Sequence, residues 1–256
     1  MSKRRDDARR ILEPLKEQYQ GPHDIVRVSE SDFPHLNFST YTAAGKVLQA
    51  AGYRHLADVE LRDVSRNKGN LYHPTLIRKF QSTAETTLAC LYLLRPRLGE
   101  LVKLFARGMR NLRWISTPAL MVELLPQRLI LDLETEWGEG QFVVTSNAEA
   151  AAMMTAPPTI DNLFFPYETE FQILLAAHES RVGSISAGST ITQIRSYDDS
   201  VAMSRRQKLQ KDAHRAALDW ISKDELTAMG DGRQSAADDL FEEIQKLLRE
   251  ETSNNS

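Results

Sequence analysis

The clearest pattern in the chain is RLILDLETEWGEGQFVVT, where Leu129, Leu131, Leu133 and Trp137 alternate with Asp132, Glu134 and Glu136. A period of two puts the leucines on one side of an extended strand and the acids on the other. Gly138-Glu139-Gly140 supplies a turn, so the spacing predicts a hairpin. A second hairpin is expected from Leu76–Gln81 and Thr86–Leu94, joined by the polar Ser82-Thr83-Ala84-Glu85.

Helical spacing fills much of the rest. Lys3–Gln20 sets Ile11, Leu12 and Leu15 among charges, as in an exposed amphipathic arm that stops before Gly21-Pro22. Ala44, Val47, Leu48 and Ala51 predict a helix from Ser39, closed by Gly52, a residue tolerant of positive φ. Tyr53–Val64 reads as extended and Asn67-Lys68-Gly69-Asn70 as a turn. Leu98, Leu101, Val102 and Phe105 predict a helix to about Met109, and Ala119–Leu125 an extended run ended by Pro126. Phe171–Val182 is helical by period, Gly183–Ser189 is a Ser/Gly-rich connection, and helices resume from Asp198 with a break at Gly230-Asp231-Gly232. In Ala236–Glu251 the residues Leu240, Ile244, Leu247 and Leu248 form one stripe, which must be buried on the chain itself or on a partner.

The expected fold class is α+β: a mainly antiparallel sheet with flanking helices, one face covered and the other partly wet, followed by a helical C-terminal region. The expected division is an N-terminal arm at 1–22, an α+β core at 23–190 and a helical extension at 191–256, packed on the core or standing apart.

Composition narrows the classes without naming one. With 256 residues, 41% hydrophobic and 26% charged, the chain is that of an ordinary globular protein with a sizeable core. A formal net charge of -3 gives no overall attraction to nucleic acid or to anionic membrane. The single Cys90 leaves no disulfide framework and no cysteine-based zinc site. The charged start MSKRRDDARR resembles no secretion signal, and no apolar run approaches the roughly 18 residues of a membrane span. The expectation is a soluble, cytoplasmic protein.

Five features could carry chemistry. Thr145-Ser146-Asn147 ends a strand, and Ser146 with Glu149 fits a capping box; the alternative is an anion or ligand site at the helix start, which lacks the usual glycines. His178 falls on the apolar face of its helix with Phe171, Leu174 and Leu175, as a core histidine or a general base. Asp132 and Glu134, about 7 Å apart by strand geometry, could do acid/base work or hold a cation, although alternating acids opposite leucines are also the usual wet face of a strand. The basic run Arg95, Arg97, Lys103, Arg107, Arg110 and Arg113, followed by Trp114, could bind nucleic acid, but it is spread around its helix as a solvated face would be. Cys90, inside an apolar run, reads as a small buried hydrophobe.

No nucleophile elbow, P-loop, dinucleotide fingerprint or helical zinc signature is present, and no metal or cofactor is assigned. The leading expectation is a non-catalytic protein-interaction or regulatory module that docks or self-associates through its C-terminal helix. The alternative is a small-molecule- or metal-dependent enzyme using His178 with Asp132 and Glu134. Nucleic-acid binding through Arg95–Arg113 stands third, and neither composition nor motif favours it.

Overall fold

A computed structural model of the chain describes residues 3–19, 21–65, 72–97, 127–185, 189–229 and 234–254. Seven strands form one sheet in chain order: β1 (Ile25–Arg27), β2 (Tyr53–Leu61), β3 (Ile77–Ser82), β4 (Thr87–Leu94), β5 (Arg128–Trp137), β6 (Gln141–Ser146) and β7 (Ile160–Phe164). Neighbours are antiparallel except β6 and β7, which run parallel across a crossover holding the 3-10 turn Glu149–Met153. Both expected hairpins are present, and the α+β class holds. The extended run from Tyr53 ends at Leu61, where the short helix α3 (Arg62–Ser65) follows. The expected turn at Asn67–Asn70, the helix near Leu98–Met109, the extended run Ala119–Leu125 and the break at Gly230-Asp231-Gly232 lie outside the described residues.

Register decides which side chains share a side. Phe80, Ala89, Leu133 and Thr145 lie opposite one another in one cross-strand row, and Lys79, Cys90, Asp132 and Ser146 in the next. Adjacent rows point to opposite faces. The leucine face is covered by α2 (Phe38–Ala50) and α4 (Phe171–Gly183), which pack Tyr41, Leu48, Leu174 and Leu175 against Phe80, Leu91, Leu131 and Leu133. Gly45 lets α2 settle on the sheet, since a Cβ there would stand 3.2 Å from the Phe80 ring. The Tyr41 hydroxyl donates to the Leu76 carbonyl at 2.7 Å and accepts the Leu93 amide at 2.8 Å, so its burial leaves no polar atom unmet.

His178, 1% exposed, ties α4 to the same face. Nε2 lies 2.9 Å from Thr135 Oγ1 and Nδ1 lies 3.0 Å from Thr145 Oγ1. Arg181 donates to Thr145 at 2.8 Å, and Thr135 meets Thr87 at 2.9 Å. Because Arg181 can only donate, the Thr145 hydrogen is free for Nδ1, and the neutral imidazole passes its own Nε2 hydrogen to Thr135. Burial, aided by the Arg181 charge, lowers the His178 pKa to about 4. Both ring nitrogens are thereby taken up by threonine hydroxyls.

The acid face is covered in part. It is crossed by α5 (Tyr197–Ala217), which starts with a capping box between Ser196 and Asp199, while Asp132 and Glu134 keep part of their surface exposed. Leu88, Cys90, Phe142, Val144, Ile160, Ile194 and Met203 form a second core there. Arg206 of α5 clamps Glu136 at 2.7 Å, and Gln210 bonds the Gly140 carbonyl and the Thr159 hydroxyl, each at 2.6 Å. The chain ends meet beside α5. Ala8 and Leu12 of α1 (Lys3–Tyr19) pack with Leu226 of α6 (Lys223–Met229) and with Leu240, Ile244 and Leu247 of α7 (Gln234–Asn254). The C-terminal stripe is thus buried within the chain.

Two outcomes follow for stability. Ile244→Ala should cost about 2 to 5 kcal/mol in chemical denaturation, whereas Leu209→Ala, at a residue 59% exposed, should stay within about 0.5 kcal/mol. For His178 the folded pKa lies below the unfolded value, so the unfolded chain binds the extra proton. Its contribution is intact above about pH 6.5 and falls away towards pH 4, by about 3 kcal/mol in all. Denaturation of wild type and His178→Gln across this range should give a difference that shrinks as the pH drops; a constant difference would refute the assignment.

Candidate functional site

α5 carries a stripe of Ser204, Gln207, Lys211 and His214 at helical spacing, with no apolar member. This stripe faces the polar row of the sheet, and between them runs a cleft with two lobes. The first encloses about 350 Å³ against Lys79, Cys90, Ser204 and Gln207. The second encloses about 520 Å³ and reaches Tyr19, Ser146, His214 and Arg215. Tyr92, Asp132, Glu134 and Lys211 line both.

Asp132 sits at the centre. It accepts from the Ser146 hydroxyl at 2.5 Å on one oxygen and from the Tyr92 hydroxyl at 2.9 Å on the other. Part of its surface opens on the cleft, and the dense protein behind it governs its ionisation. Burial pushes its pKa up to about 6; Glu134 adds to the rise, while Ser146, Tyr92 and the Lys211 charge oppose it. Burial also raises the Tyr92 phenol well above its usual range, with Asp132 contributing. Cys90 lies between Lys79 and Asp132 in the row, and burial raises its thiol too, so it lines the cleft as the small hydrophobe expected rather than as a thiolate.

The cations take unequal roles. Lys208 is engaged by Asp212 and the Gly21 carbonyl. Arg215 is buried against Glu225 at 2.7 Å and donates to the Thr155 carbonyl at 2.7 Å, which makes it part of the wall. Burial opposes ionisation of Glu225, but hydrogen bonds from Ser222, Thr155 and Arg215 hold its pKa below the usual value. Lys79 donates to Ser204 Oγ at 3.1 Å and Lys211 to Gln207 Oε1 at 2.8 Å; among the described residues neither meets a carboxylate.

The three residues Thr145, Ser146 and Asn147 go to three different tasks. Thr145 faces His178 and Arg181 on the leucine side. Ser146 faces the cleft, donating to Asp132 while accepting the Ala148 amide at 2.9 Å. Asn147 is fully buried; its Oδ1 accepts from the Leu131 amide at 2.8 Å, and its Nδ2 donates to the carbonyls of Leu129 and Tyr167. The expected capping box does not form. β6 runs to Ser146, so Ala148 takes the cap position without a side-chain bond, and Glu149 turns to Arg128 at 3.9 Å.

His178 and the carboxylates do not come together. Asp132 and Glu134 have even parity on β5, whereas His178 touches Thr135, so the sheet stands between them. Glu136 faces the acid side but is committed to Arg206. Of the basic run, Arg95 donates to the His35 carbonyl; Lys103, Arg107, Arg110, Arg113 and Trp114 lie outside the described residues. Among the described residues no group of three or more His, Cys, Asp and Glu gathers as a metal site, and no helix is long and apolar enough to cross a membrane. The residues that sequence reasoning missed are Tyr92, Gln207 and Lys211; Lys79, which could have paired with the strand acids, bonds Ser204 instead, and Arg78 goes to Asp58 and Glu30. The polar stripe on α5 was the available signal, because a helix over a sheet ordinarily turns apolar residues inward.

No protein-family model matches the chain, and neither does any curated protein or any solved structure.

Proposed function

We propose that this chain is a small-molecule-binding protein whose polar ligand lies between the sheet and α5, with Asp132 as its central contact. The observation that carries this reading is the state of Asp132: a carboxylate deep in the protein, oriented by two hydroxyls, open to a cavity and without an ion-pair partner among the described residues. Such a group lowers stability, and natural chains keep that kind of cost where function needs it. The volumes of both lobes fall in the range of small-molecule sites.

A second reading adds catalysis at the same place. A carboxyl group with a pKa near 6 changes protonation close to neutrality, which suits a general acid or base acting on the bound molecule. Docking through the C-terminal helix finds less support, because the apolar stripe of α7 is taken up by α1 and α6.

The test is amide NMR of the full chain against a library of small polar fragments. Hits should shift the amides of Cys90, Asp132, Glu134 and the Ser204–Lys211 turn of α5, and Asp132→Asn should weaken them about tenfold or more, the loss expected for a charged hydrogen bond. Hits mapping only to other surfaces would sink the proposal. Stability supplies an independent check. The folded pKa of Asp132 exceeds the unfolded value, so its ionisation is free of cost below about pH 4 and weighs against the fold as pH rises through about 6. Asp132→Asn should therefore raise unfolding free energy at pH 7.5 by at most about 3 kcal/mol, with the gain vanishing towards pH 4.

A further inference from the structure

The charges lining the first lobe form two groups that do not meet. Lys79 is 3% exposed, and its ammonium, which can give three hydrogen bonds, has one described acceptor, the Ser204 hydroxyl. Lys211 donates to Oε1 of Gln207, which fixes how that amide is turned. The other end of the amide, Nε2, belongs to a side chain 6% exposed that lines the lobe, yet it has no acceptor among the described residues. A buried amide donor without a partner is uncommon in native proteins. Across the lobe, Asp132 still has lone pairs to offer, and the side-chain carboxylate of Glu134 accepts no hydrogen bond from any described residue.

Each group needs the opposite charge, and neither reaches the other. A simple anion would satisfy Lys79, Lys211 and Gln207 but would add charge opposite two carboxyl groups; a simple cation would reverse the fault. We infer that the ligand is a small zwitterion of the α-amino-acid type, its carboxylate taken by Lys79, Lys211 and the Gln207 amide and its ammonium by Asp132 and Glu134. Leu61, Ile77 and Leu94 in the same lobe give its side chain an apolar wall. This inference rests on the cleft reading above and adds the class of ligand.

The test is calorimetric titration of the full chain with each standard L-amino acid. The best binder is then compared with its N-acetyl and carboxamide derivatives, each of which removes one charge. At least one amino acid should bind, and both derivatives should bind about tenfold or more weakly, the loss expected for charged hydrogen bonds. Lys79→Met and Gln207→Leu should impose a similar loss while circular dichroism is unchanged; if Lys79→Met does not fold, Gln207→Leu alone carries the comparison. A derivative that binds as well as its parent overturns the zwitterion and leaves the cleft reading in place. The zwitterion is equally overturned, and the cleft reading kept, if no amino acid binds while polar fragments still shift the cleft amides. If neither amino acids nor fragments reach the cleft, both readings fall.

Discussion

β5 has elements packed over both of its sides, and the rest of the molecule is arranged around that constraint. A strand in the interior of a sheet sends alternate side chains to opposite faces. Here one face takes Leu131, Leu133 and Thr135 while the other takes Asp132, Glu134 and Glu136. The leucines need only α2 and α4 above them. The acids cannot be closed over by apolar side chains without a large desolvation cost, so the element that covers them must itself be polar. α5 meets this need with Arg206, Gln207, Lys211 and Ser204, and the imperfect match of a polar helix to a polar sheet leaves the cleft.

The parts of the fold legible in the sequence were those in which apolar spacing alone sets the answer. The hairpins β3–β4 and β5–β6, the helix closed at Gly52 with φ +83°, and the helix beginning at Phe171 follow from periods of two and of 3.6. β1 and β7 were not legible. Three residues give no period, and the five of β7 pair in parallel after a crossover, an arrangement with no local turn signal.

The site was legible in its residues and not in its grouping. Asp132, Glu134 and Ser146 stand out in the sequence and do line the cleft; His178 and Thr145 stand out equally and lie on the far side of the sheet. Alternating acids opposite leucines look the same whether water or a polar helix lies over them, and the chain places that helix some 60 residues later, at Tyr197. Placement across a sheet depends on parity, and a histidine on another element carries no parity of its own until the packing of its helix is known.

The packing of α1 on α7 bears on the order of assembly. The buried Ala8 and Leu12 of α1 rest on α7, with the whole sheet between the two helices in sequence. Leu15, Gln18 and Tyr19 of that first helix also wall the second lobe. Closing so long a loop costs more entropy than closing either hairpin of the sheet. The sheet and its leucine core can therefore form from contacts closer in sequence, whereas the wall that α1 gives the cleft depends on this distant pairing.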